Sequence, residues 1–275
     1  MADLRRAPAP PLRALVHTLW AHEPADDAAV RPGMREHVLP TGGTHIALRL
    51  SGLPLLIFDG RSGMDGHCLG HAVVGGARTA FHVRDISAPA ASVGAMLRPG
   101  AARVLLGAPE AALAHGHTPL DLLLGRAEVD ALLGQLHAAG GGAARLTAFE
   151  RWLARRAQGR PPGLHPALAG ALPRLNRGDA RVDDLVRASG LSHRHFIACF
   201  REATGLAPRE LLRLRRFGHA LELATCGARG WAEIAAAAGF ADQSHLTHAF
   251  REIAGFTPSA WRRRADPAAP RHVPH

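Results

Sequence analysis

Up to about residue 100 the apolar positions come in short alternating or continuous runs, at 45–50, 55–58, 72–74, 79–83 and 92–97. Turn formers separate them at Gly42-Gly43, Ser51-Gly52, Asp59-Gly60, Gly75-Gly76 and Pro99-Gly100. A period of two bounded by such residues predicts strands. Closely spaced short strands predict a small β-barrel or sandwich, cupin-like in outline. After Pro99-Gly100 the period lengthens, and helices are expected at 101–106, 109–114, 120–124, 127–137 and 143–156. Leu132, Leu133 and Leu136, then Leu146, Phe149 and Leu153, form apolar stripes at helical spacing. Those stripes need a partner surface, either the barrel or a second subunit.

The segment 158–163, Gln-Gly-Arg-Pro-Pro-Gly, cannot continue a helix and reads as a linker. Beyond it, residues 165–176 read as one helix, and then a single pattern occurs twice. Val182, Leu185, Gly190, Phe196, Phe200-Arg201-Glu202, Gly205 and Pro208 recur as Trp231, Ile234, Gly239, Leu246, Phe250-Arg251-Glu252, Gly255 and Pro258. The offset is 49 residues before the turn and 50 after it. Each copy reads as helix, glycine turn, helix, the outline of a helix-turn-helix. In copy one, Phe196, Cys199 and Phe200 share the inward face. In copy two, Leu246, Ala249 and Phe250 do. Ser192 and Asp242 stand where an N-cap is needed. Residues 208–224 read as one long helix between the copies, entered through Pro208. The fold class is therefore α+β: a β-rich domain with a helical extension (1–158), a linker (159–164), an all-α tandem helix-turn-helix domain (165–264), and a Pro- and Ala-rich tail (265–275) expected to be disordered.

Composition sharpens this picture in two places. The chain has 275 residues, of which 47% are hydrophobic, enough for two cored domains. Its net charge is +10, carried by arginine with no lysine. Residues 160–275 hold 17 Arg against 10 acidic residues, whereas residues 1–159 hold 16 against 13. The excess falls on the duplicated half, as phosphate binding requires. Three scattered cysteines, Cys68, Cys199 and Cys226, fit neither a disulfide framework nor a zinc motif. No apolar run spans a membrane and the N-terminus lacks a secretion signal, so a cytoplasmic location is expected.

The exposed positions of each second helix carry the candidate chemistry. In copy one these include His193, Arg194, Ile197, Ala198 and Arg201. In copy two they include Gln243, Ser244, Thr247, His248 and Arg251. Glutamine suits adenine, arginine suits guanine or phosphate, and hydroxyls suit several groups. The long helix adds Arg215 and Arg216 as phosphate candidates, with His193, Arg201 and Arg251.

At this point residues 165–264 resemble the DNA-binding domain of AraC-type bacterial transcription regulators. The stretch from Trp231-Ala232-Glu233-Ile234-Ala235 through Gly239-Phe240-Ala241-Asp242-Gln243-Ser244-His245-Leu246 to Pro258-Ser259-Ala260-Trp261-Arg262 looks like that family's signature. The resemblance implies two helix-turn-helix units on a linker helix, each placing a helix in the major groove. By position it implies base readers at Arg194, Ile197 and Ala198, and at Ser244, His245 and His248. Ile197 and Ala198 stand where polar readers are common, and His248 where arginine is frequent. Residues 39–45 (Leu-Pro-Thr-Gly-Gly-Thr-His) and 93–101 resemble a sensor domain of some AraC-type regulators. That resemblance implies effector binding or dimerisation.

The expected function is a sequence-specific DNA-binding transcription regulator. Its candidate partners are double-stranded promoter DNA, a small-molecule effector, RNA polymerase and a second copy of the chain, with no membrane. No cofactor is expected, and no nucleophile elbow, phosphate loop or acid–base pair suggests an enzyme. The alternative is a metal-dependent or enzymatic barrel with secondary DNA binding, motivated by His37, His45, His67, His71 and His82. No Asp or Glu completes a familiar ligand spacing beside them, so no metal site is expected. A third reading is a protein-interaction module built on the helices of 127–156.

Overall fold

The computed structural model describes residues 2–25, 30–58, 65–160, 163–176, 181–227 and 229–275. The turn expected at Asp59-Gly60 and the Pro161-Pro162 pair of the linker lie outside them. Strands β1 (Ala2–Arg6), β2 (Val16–Glu23), β3 (Arg35–Val38), β4 (His45–Arg49), β5 (Leu56–Phe58), β6 (Gly66–Cys68), β7 (Ala72–Gly75), β8 (His82–Asp85), β9 (Ser92–Leu97) and β10 (His117–Pro119) build the N-terminal half. A last strand, β11 (His272–Pro274), joins them from the far end of the chain. They form two antiparallel sheets, β1-β2-β9-β4-β7-β10 and β11-β3-β8-β5-β6. Both strand orders are open, so the unit is a double sheet and not a closed barrel.

Helices α1 (Ala101–Leu106), α2 (Glu110–Leu113), α3 (Leu120–Leu124), α4 (Arg126–Ala138) and α5 (Gly142–Ala157) follow the strands. Their apolar stripes find their partner within the chain. In β4 the alternation turns Ile46 and Leu48 toward the helices and His45, Ala47 and Arg49 toward the other sheet. Ile46, Leu48, Val93 and Ala95 pack with Leu132, Leu136, Leu146, Phe149 and Leu153 in one buried cluster. Each of these Val, Leu, Ile and Phe side chains contributes about 1.5–3 kcal/mol when fully buried. Glu128 pins the layer by accepting from Trp152 Nε1 (3.2 Å) and Arg156 Nη1 (3.0 Å).

The C-terminal half contains α6 (Pro166–Ala169), α7 (Ala171–Asn176), α8 (Val182–Ser189), α9 (His193–Thr204), α10 (Pro208–Thr225), α11 (Trp231–Ala237), α12 (Gln243–Ala254) and α13 (Pro258–Arg264). The single helix expected at 165–176 is thus two. Pro173 has no N–H for the Ala169 carbonyl, and its ring would clash there. Duplicated sequence positions are duplicated core positions: Leu185 with Ile234, Phe196 with Leu246, and Phe200 with Phe250, all fully buried. Phe250 is the hub, with Phe217, Trp231 and Trp261 at ring distances of 4.9, 5.6 and 5.9 Å.

Two expectations are corrected here. The tail at 265–275 is ordered. β11 pairs antiparallel with β3, and Arg271 O accepts from Leu39 N at 2.8 Å. Composition suggested disorder, but Val273 is fully buried and Trp261 Nε1 donates to Pro270 O (3.0 Å). The strand expected at 79–83 begins only at His82, because Phe81 N donates to Ile253 O at the end of α12 (2.8 Å).

The N-terminal half grips the equivalent point of each copy. Gly100 N donates to Ala203 O at the end of α9 (2.8 Å), as Phe81 N does to Ile253 O fifty residues later. Carbonyls in a last helical turn lack intrahelical donors, so these bonds satisfy groups that would otherwise need water. The loop at 39–44 presses on α10. Gly42 has a φ of +76°, which strains any side chain, and a Cβ there would also push Leu211 Cδ1, 2.8 Å away, aside.

Candidate nucleic-acid interface

Each helix-turn-helix is built by local chemistry. α8 ends at Gly190 with φ +70°, and the second turn uses Gly239 at φ +78°, both in the left-handed region. Ser192 Oγ accepts from His195 N (3.3 Å), capping α9. Asp242 Oδ1 accepts from His245 N (2.7 Å), capping α12. Between them α10 is an 18-residue rod, about 27 Å long at 1.5 Å per residue. Glu210 in its first turn accepts from Ala207 N (2.7 Å).

The structure sorts the expected contact residues into groups. His193, Arg194, Ala198 and Arg201 are exposed along α9, with Ile197 half-buried. Gln243, Ser244, His248 and Arg251 are exposed along α12. Three residues of α12 have partners within the chain. His245 sets its ring edge-on against Phe240 (5.3 Å), and its Nδ1 takes a 3.5 Å contact from Ala241 N, so it braces the turn. Thr247 Oγ1 donates back to Gln243 O (2.8 Å). His248 Nε2 lies 3.1 Å from Glu252 Oε1, and Glu252 also receives Arg213. Its side chain is nonetheless 70% exposed, so it can swing toward a groove.

The two phosphate candidates of α10 differ. Arg216 runs over the second turn, its Nε 3.6 Å from the Cβ position of Gly239. Arg215 departs from the expectation. It is half-buried with its Nε unpartnered, and burial lowers its pKa. Its charge acts on His17 and Arg271, so it faces the N-terminal half, not the outer surface. The periodicity of α10 marks which face is polar but not that a second layer covers it.

Other cations went unnoticed in the duplication pattern. Arg262, Arg263 and Arg264 in the last turn of α13 are all exposed. Arg262 lies over the Trp231 ring (3.9 Å) and donates to Arg229 O (3.1 Å), which places basic charge beside the second unit. The arginine run in the sequence was the available signal. Among the described residues no group of three or more His, Cys, Asp and Glu side chains is arranged to hold a metal ion. No helix among them is long and apolar enough to cross a membrane.

A family model described as a helix-turn-helix domain matches residues 185–264, and one described as a domain of unknown function (DUF6597) matches residues 4–119. The HTH-type transcriptional regulator GlxA of Rhizobium meliloti is 34% identical over 104 residues. Residues 185–264 thus carry a helix-turn-helix domain. The GlxA match takes in 37% of this chain and 32% of that regulator, so the chain spans about a third of its relative's length. Among solved structures, ToxT of Vibrio cholerae is similar with 11% identity and a TM-score of 0.43, over 84% of this chain and 95% of ToxT. A transcriptional regulator of Chromobacterium violaceum with an AraC-type DNA-binding domain is similar with 23% identity and a TM-score of 0.33, over 36% of this chain and 90% of that one. The helix-turn-helix match lies within the half where the arginine excess lies.

Proposed function

We propose that the protein is a sequence-specific DNA-binding transcription regulator of the cytoplasm. The AraC-type domain at 165–264 reads promoter DNA, and a cupin-like double sheet within 1–158 receives a small-molecule effector or a second copy of the chain. RNA polymerase is the further partner this role calls for. The observation that carries the reading is the pair of N-capped helices, α9 and α12, exposed on one rod-like α10 with Arg194, Arg201 and Arg251 on their outer faces. Exposed cations beside a helix that fits a major groove supply the phosphate and base contacts such reading needs. The relative in Rhizobium meliloti is itself named a transcriptional regulator.

Selection of randomised duplex DNA by the purified full-length chain, at two salt concentrations, tests this. The expected result is an enriched motif with two submotifs about 10 base pairs apart, bound more weakly at high salt. Binding with neither enrichment nor salt dependence would sink the proposal.

A further inference from the structure

Beside the linker, the helical layer of the N-terminal half holds a cavity of about 370 Å³. Small-molecule sites occupy roughly 300–1,000 Å³. From α4 the cavity is lined by Glu128, Leu132 and Gln135, at i, i+4 and i+7, so one face of that helix makes its wall. From α5 come Trp152, Arg155 and Arg156, at i, i+3 and i+4. Gln158 and Arg160 add to the lining where the chain leaves α5. Leu132 and Trp152 are buried and form an apolar floor, with Trp152 stacked on Phe149 (5.7 Å). The rest of the lining is polar, with two amides and three guanidinium groups.

The charge of this cavity is one-sided. Among the described residues Glu128 is the only carboxylate lining it, against Arg155, Arg156 and Arg160, an excess of two positive charges. Glu128 is engaged by one of the three. Its oxygens lie 3.1 and 3.0 Å from Arg156 Nη1, and one also accepts from Trp152 Nε1. Arg156 donates further from Nε to Leu105 O (2.9 Å), and Arg160 donates from Nη1 to Val104 O (2.6 Å). A guanidinium has five N–H donors, so that single bond leaves most of the Arg160 fork for another acceptor. Arg155 is exposed at the rim. The negative end of α5 favours Arg155 and Arg156 in its last turn. It does not explain Arg160, which lies beyond the helix, nor why all three surround a cavity with an apolar floor. Planar guanidinium forks match the oxygens of a carboxylate or a phosphate.

We propose that this cavity binds a small organic anion, a carboxylate or a phosphate ester, whose apolar part rests on Leu132 and Trp152 while Arg155 and Arg160 hold its charged end. The proposal rests on the effector reading above but places the ligand in the helical layer, not between the sheets. The position also gives the ligand a route to DNA. Arg160 lies in the linker, and Gly163 farther along it packs so tightly on Gly100 that a Cβ there would overlap Gly100 O. Gly100 N is the donor that holds Ala203 O at the end of α9. An anion that draws the Arg160 side chain off Val104 O changes the path of the linker over Gly100, and with it the hold on the first recognition helix.

The test titrates the full-length chain, with ¹⁵N-labelled tryptophan, with benzoate, phenyl phosphate, acetate and inorganic phosphate at constant ionic strength. Benzamide is the uncharged control. The Trp152 indole signal is assigned by its loss in Trp152→Phe. It should shift saturably with benzoate or phenyl phosphate, respond more weakly to acetate and inorganic phosphate, and not respond to benzamide. Tighter binding of benzoate identifies a carboxylate ligand; tighter binding of phenyl phosphate identifies a phosphate ester. Arg155→Gln and Arg160→Gln should each weaken binding about tenfold or more. Arg151→Gln, at an exposed position of α5 outside the cavity, should leave it unchanged. Near-ultraviolet circular dichroism checks that each variant folds. No saturable shift with any anion, an equal response to benzamide, or binding that survives both substitutions overturns the site. These titrations use no DNA, so a failure to select a duplex counts against the regulator reading and not against the site. Affinity for a selected duplex is then compared with and without the tighter-binding anion, in the unsubstituted chain and in Arg155→Gln. An anion effect in the unsubstituted chain alone supports the route through the linker. No anion effect in either, with anion binding intact, overturns that route and leaves the site standing.

Discussion

Arg201 and Arg251 occupy equivalent positions of the two copies and are both exposed, one turn before the glycine that ends each recognition helix. A guanidinium so far along the helix reaches backbone phosphate more readily than a base edge, and phosphate contacts fix register without reading sequence. Arg251→Ala should therefore weaken binding to every duplex and lower the salt slope by about 1. Ser244 stands in the first turn of α12, where the proposed function places base contacts. Ser244→Ala should change which duplex is preferred while leaving non-specific affinity nearly untouched. Competition binding at two salt concentrations separates the two. A change of preference alone in Arg251→Ala would make that residue a reader. Arg215 shows the limit of such residue-level logic: its helix and residue type suit phosphate, but it is turned toward another part of the molecule.

At the scale of elements, the helix-turn-helix units rest on two side-chain caps of unequal quality. Asp242 accepts at 2.7 Å and places a carboxylate at the positive end of α12, whereas Ser192 accepts at 3.3 Å. Asp242→Ala should cost about 1 kcal/mol in urea unfolding, and Ser192→Ala less. Equal losses would show that the two caps contribute alike. These caps, both turn glycines and α1 to α5 were legible in the sequence because glycine, proline and short polar residues act locally. β2 and β3 were not. Their segments, Val-His-Thr-Leu-Trp-Ala-His-Glu and Arg-Glu-His-Val, place His22, Glu23, Glu36 and His37 at half-buried or buried positions on both faces. Alternation cannot mark a strand whose polar face is also enclosed. The candidate readers were legible as exposed positions of a duplicated pattern. That His245 braces a turn and Thr247 bonds its own helix depends on rotamers that the pattern does not encode.

At the scale of the whole molecule, the C-terminal tail joins the two halves. After α13 the chain returns to the second sheet, where β11 extends β3 and His275 N donates to Arg35 O (3.0 Å). Arg271 Nη1 reaches Pro40 O (2.6 Å), and His272 Nδ1 meets Glu36 Oε1 (3.0 Å). His37, next to Glu36, stacks between Phe81 (4.1 Å) and Phe256 (4.3 Å), so strand, tail and helix-turn-helix half meet at one place. Burial alone would raise the pKa of Glu36, but the His272 hydrogen bond and the Arg84 charge outweigh it and hold it at about 2. A carboxyl depressed in the fold contributes stability above its unfolded value near 4.5, and that stability is lost as pH falls from there toward 2. A shift of that size corresponds to about 3 kcal/mol. Removing residues 266–275 deletes His272 and β11 together. The truncated chain should melt at lower temperature at pH 7, and its acid unfolding midpoint should move to higher pH. Hydrogen exchange at the Leu39 amide should quicken, since Arg271 O is its acceptor. Unchanged exchange at that amide would show that the tail lies on the sheet without holding the halves together.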